Sequence, residues 1–148
     1  MSAIRIGNRY WVVVCDGRKA LIFENAGDAD LLNLITKETR VAENPPTHAQ
    51  GTERPGRVHQ SVGSERSAVE QTDWHDQAER AFLRDLATRL DHAVVSGETK
   101  AIVLVAPPRA MGALRPDLSP AVNAALKGEI TKDYVGQPVS EIEKHLRA

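Results

Sequence analysis

The stretch Gly56-Arg57-Val58-His59-Gln60-Ser61-Val62-Gly63 sets an amide, an imidazole and a hydroxyl between two glycines. Gly56 and Gly63 permit close backbone approach, and Arg57, His59, Gln60 and the nearby Arg66 can donate hydrogen bonds. An arm of this kind can hold a glutamine amide, from backbone or side chain, against an ester carbonyl and position a water. That is catalysis by orientation and electrostatics without a protein nucleophile. Its candidate catalytic residues are Gln60, His59 and Ser61. Arg57, Arg66, Arg109 and Arg115 are candidate RNA or phosphate contacts, because the guanidinium fork matches phosphate oxygens. The bland reading of the same residues is a charged loop and solvated arginines.

Other chemistries find less material. A metal-dependent nuclease gathers carboxylates at adjacent strand ends around two magnesium ions. Asp16 closes a strand-like run, with Asp76 and Asp133 as its only partners on offer, and turn chemistry alone explains an Asp-Gly pair there. The five histidines, His48, His59, His75, His92 and His145, form no H-x3-H or HExxH pair. One cysteine excludes a cysteine-rich zinc site. No G-x-G-x-x-G, P-loop or G-x-S-x-G occurs. The expectation is therefore no cofactor and no metal. Cys15 lies inside an apolar run and reads as a small buried hydrophobe rather than a reactive thiol.

The chain of 148 residues suits one domain, and its net charge of -1 gives no global pull toward nucleic acid or anionic membrane. Any such binding must come from a local patch. No apolar run approaches the roughly 20 residues of a membrane span, and the amino-terminal residues carry no basic-then-apolar signal pattern. A cytoplasmic protein is the expectation.

The elements that must position these residues follow from periodicity. Arg9–Cys15 and Lys19–Glu24, around the Asp16-Gly17 turn, read as a hairpin, and Leu31–Val41 as a third strand of a meander. From 42 to 72 the chain holds Pro45, Pro46, Pro55 and three glycines but no large aliphatic or aromatic side chain, and reads as a long polar loop. Asp73 is the expected cap of a long helix stopping at Gly97. Its apolar stripe is Trp74, Ala78, Phe82, Leu86, Leu90 and Val94, and Glu79, Arg80, Arg84 and Arg89 form a solvated face. Ile102–Val105 reads as a strand buried on both faces, which Pro107-Pro108 must end. Arg109, Gly112 and Arg115 then fall in a loop and first helical turn. A helix from Ser119-Pro120 ended by Gly128, a strand over Glu129–Val135 and a terminal helix over Pro138–Leu146 complete the chain. The resulting order β-β-β-α-β-α-β-α predicts an α/β fold, a five-stranded mixed sheet of ribonuclease H-like type.

LVAPPRAMGALR (Leu104 to Arg115), GRVHQSVGSERSAVE (Gly56 to Glu70), the DWH at Asp73 to His75 and EITKDY resemble the bacterial host attachment family over Trp11 to Leu146. That family is also described as a bacterial and archaeal branch related to the catalytic, middle domain of peptide-chain release factors. The resemblance implies a release-factor-like domain whose partner is a ribosome or tRNA, with rescue or peptidyl-tRNA ester hydrolysis as its activity. Release factors carry Gly-Gly-Gln in the corresponding long loop, where this sequence has Val58-His59-Gln60. The alternative is a non-enzymatic interaction or regulatory protein that serves attachment indirectly.

Overall fold

Apolar runs too short for a helix and too continuous for a surface strand have to be covered on both sides. Residues 4–42 and 60–147 are described in a computed structural model of the chain, with only the backbone described for 60–75. Its elements are β1 (Trp11–Cys15), β2 (Lys19–Asn25), β3 (Leu34–Val41), α1 (Gln60–Val95), β4 (Ile102–Val105), α2 (Pro108–Leu114), a 3-10 turn (Arg115–Asp117), α3 (Pro120–Ala125), β5 (Leu126–Ile130) and α4 (Val139–Arg147). The five strands form one mixed sheet in the order β3-β2-β1-β4-β5. β1 pairs antiparallel with β2 and parallel with β4, β3 is antiparallel to β2, and β5 is parallel to β4.

Every residue of β1 and of β4 is buried. Alternate side chains serve opposite cores, as the two-residue period of a strand requires. Trp11, Val13, Cys15, Ile102 and Leu104 meet Leu83, Leu86 and Leu90 of α1 and Met111 and Leu114 of α2. Val12, Val14, Val103 and Val105 meet Ile6, Phe23, and Ile142 and Leu146 of α4. The apolar stripe of α1 is real over its carboxyl-terminal half. Trp74, its expected first member, has a side chain outside the described residues.

Four boundaries differ from expectation. α1 starts at Gln60 rather than Asp73, so residues 60–72 of the expected polar loop are helical. No proline and only one glycine interrupts Gln60 to Asp73, which leaves nothing to break a helix already propagating from its packed end. Residues 43–59 lie outside the described residues. The segment after β4 is helix α2 rather than loop, with Pro108 in its first turn, where a missing N–H costs nothing. β5 covers Leu126–Ile130 rather than Glu129–Val135, and Gly128 sits within it instead of ending a helix. A Cβ on Gly128 would run into the Ile4 side chain, so glycine there serves close packing under the amino-terminal segment. β3 begins at Leu34, since the preceding residues form a turn.

That turn is organised by Asn25, one of the few buried polar residues. Its Nδ2 donates to the carbonyls of Ile6 (2.8 Å), Gly7 (3.1 Å) and Asp28 (3.2 Å). Its Oδ1 accepts from the Gly27 and Asn33 amides, both at 3.0 Å. One side chain thus satisfies the amino-terminal segment and the β2–β3 connection together. α1 ends as expected at Gly97, whose φ of 86° permits the reversal. The Glu98 N–H reaches Ala93 O at 2.8 Å and the Gly97 N–H reaches Val94 O at 3.2 Å, a pair that closes the helix end.

Arg89 is not part of a merely solvated face. It lies with its guanidinium carbon 5.5 Å from the Trp11 ring centroid and bonds Glu38 of β3 and Glu98, each at 2.9 Å. Burial opposes ionisation of Glu38, but hydrogen bonds from Arg40 and Arg89 outweigh it and hold the carboxyl below its ordinary range. A carboxyl lowered in the folded state contributes stability above its ordinary value, and that contribution disappears as pH falls through the lowered folded value.

Two outcomes follow. Asn25→Asp keeps the acceptor but turns a carboxylate toward three carbonyls, and should lower unfolding free energy by about 3 kcal/mol in urea titration. Glu38→Gln should melt below wild type near neutral pH. That gap should narrow as the pH falls below about 4, because wild-type Glu38 then loses its charge.

Candidate functional site

β1 and β4 lie side by side and parallel, and both end at the same edge of the sheet. From β1 the chain turns back into β2, while from β4 it leaves through α2 toward β5 on the other side. Crevices outside strand ends at such a divergence are where α/β sheets bind ligands. A cleft of about 560 Å³ opens here.

The β1 side of the cleft is a tight turn. Asp16 Oδ1 accepts from the Arg18 and Lys19 amides, both at 2.8 Å, and the Asp16 amide donates to Lys19 O at 3.0 Å. A Cβ on Gly17 would stand 2.9 Å from Glu79 Cδ, so the turn lies directly against α1. The β4 side is Pro107 and the start of α2. Arg109 Nη2 crosses the mouth to Asp76 Oδ1 at 2.6 Å and Glu79 Oε1 at 3.6 Å. Leu83, Ala110 and Ala113 supply an apolar floor. The Arg109 side chain is 74% exposed, so its ion pair is worth at most about 1 kcal/mol and exchanges readily.

The residues singled out in the sequence do not assemble into one site. Arg109 and Asp16 line this cleft, and so does Asp76. Arg115 lies in the 3-10 turn and bonds Glu129 through Nη2 at 2.6 Å and Nε at 3.1 Å, an interaction that raises its affinity for its proton. It does not line the cleft. Gln60, Ser61 and Arg66 fall on the α1 backbone with their side chains outside the described residues, and Arg57 and His59 lie outside the described residues altogether. Asp133 is exposed beyond β5 and is not part of the cleft lining. Among the described residues no group of three or more His, Cys, Asp or Glu could hold a metal ion. Asp16 is occupied by backbone amides and Asp76 by Arg109, which is not the open carboxylate array that two magnesium ions require.

Arg18, Glu79 and Arg80 also line the cleft. None was a site candidate in the sequence, where Glu79 and Arg80 read as solvated helix charges. The signal available was the Asp-Gly turn at a strand end, which puts whatever follows it at the rim.

Cys15 ends β1 fully buried beneath this turn. Burial, reinforced by the neighbouring Asp16 charge, pushes its thiol up to about 12. It is a packing residue. In native protein Ellman's reagent should modify it at least about a hundredfold more slowly than in urea-unfolded protein, since the thiolate is the reactive form. A fast native reaction would show the turn to be open.

A family model described as "Protein required for attachment to host cells" matches residues 11–146. No curated protein matches the chain. Among the described residues no helix is long and apolar enough to cross a membrane. The family match runs from the first residue of β1 into the last turn of α4, taking in the whole sheet and the cleft at its edge, and the chain belongs to this family of proteins required for attachment to host cells.

Proposed function

We propose that this member of the host attachment family is a single, cytoplasmic, release-factor-like domain acting on ribosomes or peptidyl-tRNA. The observation that carries the reading is that the candidate glutamine, Gln60, is the first residue of α1, directly after the polar stretch. A helix of 36 residues spans roughly 54 Å, about twice the length of the eight-residue β3. A helix that outreaches its sheet suits a domain that delivers its leading residues into a partner's interior. The three-strand meander followed by strands alternating with helices supports the ribonuclease H-like, release-factor middle-domain-like reading of the fold. In this reading Gln60, with His59 and Ser61, orients water at the peptidyl ester, and Arg57, Arg66, Arg109 and Arg115 contact RNA phosphates. An effect on attachment to host cells is then indirect, through synthesis of the proteins that attach.

A second reading, an interaction or regulatory protein without catalysis, is favoured by one observation: Arg109 and Arg115 are both engaged by carboxylates of the same chain. Arginines committed in this way can be structural.

Purified protein added to stalled ribosome complexes distinguishes the two. Co-sedimentation at low salt should weaken steeply between roughly 50 and 200 mM, and peptide release should be lost in Gln60→Ala. Absence of both binding and release overturns the release-factor-like reading. Restoration of attachment to a deletion strain by a copy carrying Gln60→Ala and Arg109→Ala would then establish the second.

A further inference from the structure

The cleft at the ends of β1 and β4 holds guanidinium groups that its carboxylates do not match. Asp16, Asp76 and Glu79 face Arg18, Arg80 and Arg109 around one opening. By count the charges balance, but by geometry they do not. Asp16 spends Oδ1 on two backbone amides, and Asp76 and Glu79 both converge on Arg109. Among the described residues Arg18 and Arg80 have no carboxylate within ion-pair distance, and both are exposed. The two are held on different elements, Arg18 by the β1–β2 turn and Arg80 by α1. The close approach of Gly17 to Glu79 sets those elements side by side.

We propose that this cleft binds a phosphate-bearing group, with Arg18 and Arg80 as its standing contacts and Arg109 as a third that changes partner. The apolar floor of Leu83, Pro107, Ala110 and Ala113 takes the organic part of the ligand. A cleft of about 560 Å³ falls within the range of small-molecule sites, roughly 300–1,000 Å³, and a nucleotide unit fits that size and chemistry. Each guanidinium can give one phosphate a bidentate, charge-assisted pair of hydrogen bonds, and groups from separate elements around one opening can add their donors on the same phosphate. The exposed ion pair of Arg109 with Asp76 is weak enough to give way to a phosphate. Asp76 and Glu79 then act as a brake, lowering affinity until a ligand strong enough to displace them arrives. The inference deepens the nucleic-acid contact assigned above to Arg109 but does not depend on Gln60. The phosphate can belong to a free nucleotide, as a dianionic monoester, or to an RNA backbone, as a monoanionic diester, and both present non-bridging oxygens to the guanidinium groups.

The test is titration calorimetry with AMP and, separately, with a short single-stranded RNA, on the full chain. Wild type should bind at least one of them, and Arg18→Ala and Arg80→Ala should each weaken that binding about tenfold. Asp76→Asn should tighten it several-fold by freeing Arg109, a gain that no structural role of Asp76 predicts. Binding of RNA without AMP assigns the site to a polymer backbone, and binding of AMP alone assigns it to a free nucleotide. The inference is overturned if neither ligand binds wild type or Asp76→Asn. It is equally overturned if binding is indifferent to Arg18→Ala and Arg80→Ala, even where ribosome association persists. Thermal melts of the exposed-arginine variants should match wild type, which separates loss of contact from loss of fold.

Discussion

The parallel pairing of β1 with β4 is the constraint on which the rest depends. Each strand is short, apolar throughout and buried on both faces, so neither is stable without a layer on either side of the sheet. α1, α2 and α3 supply one layer, and α4 with the amino-terminal segment supplies the other. A parallel pair also cannot be closed by a hairpin, so a long connection must separate the two strands in the chain. That connection contains β2, β3 and α1, and therefore Gln60, His59 and Ser61, which the release-factor-like reading sets at the ester, whereas Arg109 and Arg115 of the same reading follow β4.

The same pairing creates the cleft. Two parallel neighbours end at one edge, and their chains depart in opposite directions. The departures are enforced by local chemistry: an Asp16-centred turn on one side and two prolines on the other. Neither turn fills the space between them. α1 passes across it with Asp76, Glu79 and Arg80, and α2 contributes Arg109. A balanced but unevenly paired set of charges results, carried by the β1–β2 turn, α1 and α2.

Electrostatic roles divide accordingly. Arg89 works inward, stacked on Trp11 and clamping β3 and the end of α1 through Glu38 and Glu98. Arg115 ties the 3-10 turn to β5 through Glu129. Arg18, Arg80 and Arg109 face outward into the cleft. Membership of the attachment family does not specify which of these surfaces matters, whereas the uneven pairing points to the cleft.

Local signals in the chain were enough for the sheet's central strands and the carboxyl-terminal half of α1. Unbroken β-branched runs, an Asp-Gly turn, a four-residue apolar stripe and a terminal glycine are local signals, and each reports burial or backbone conformation at its own position. The same holds for the end of β4 at Pro107-Pro108 and for the family resemblance. The start of α1, the helix at Pro108 and the place of β5 were not legible. The absence of a breaker before Asp73 is a weaker cue than a capping residue, and Gly128 looks like a stop until Ile4 is packed against it. Which charges meet is set by packing alone. Asp16, Glu79 and Arg109 lie far apart in the chain, and no periodicity links a turn, a helix face and a second helix's first turn. Ion pairing is a property of distance in space, and distance in space is what the packed sheet sets.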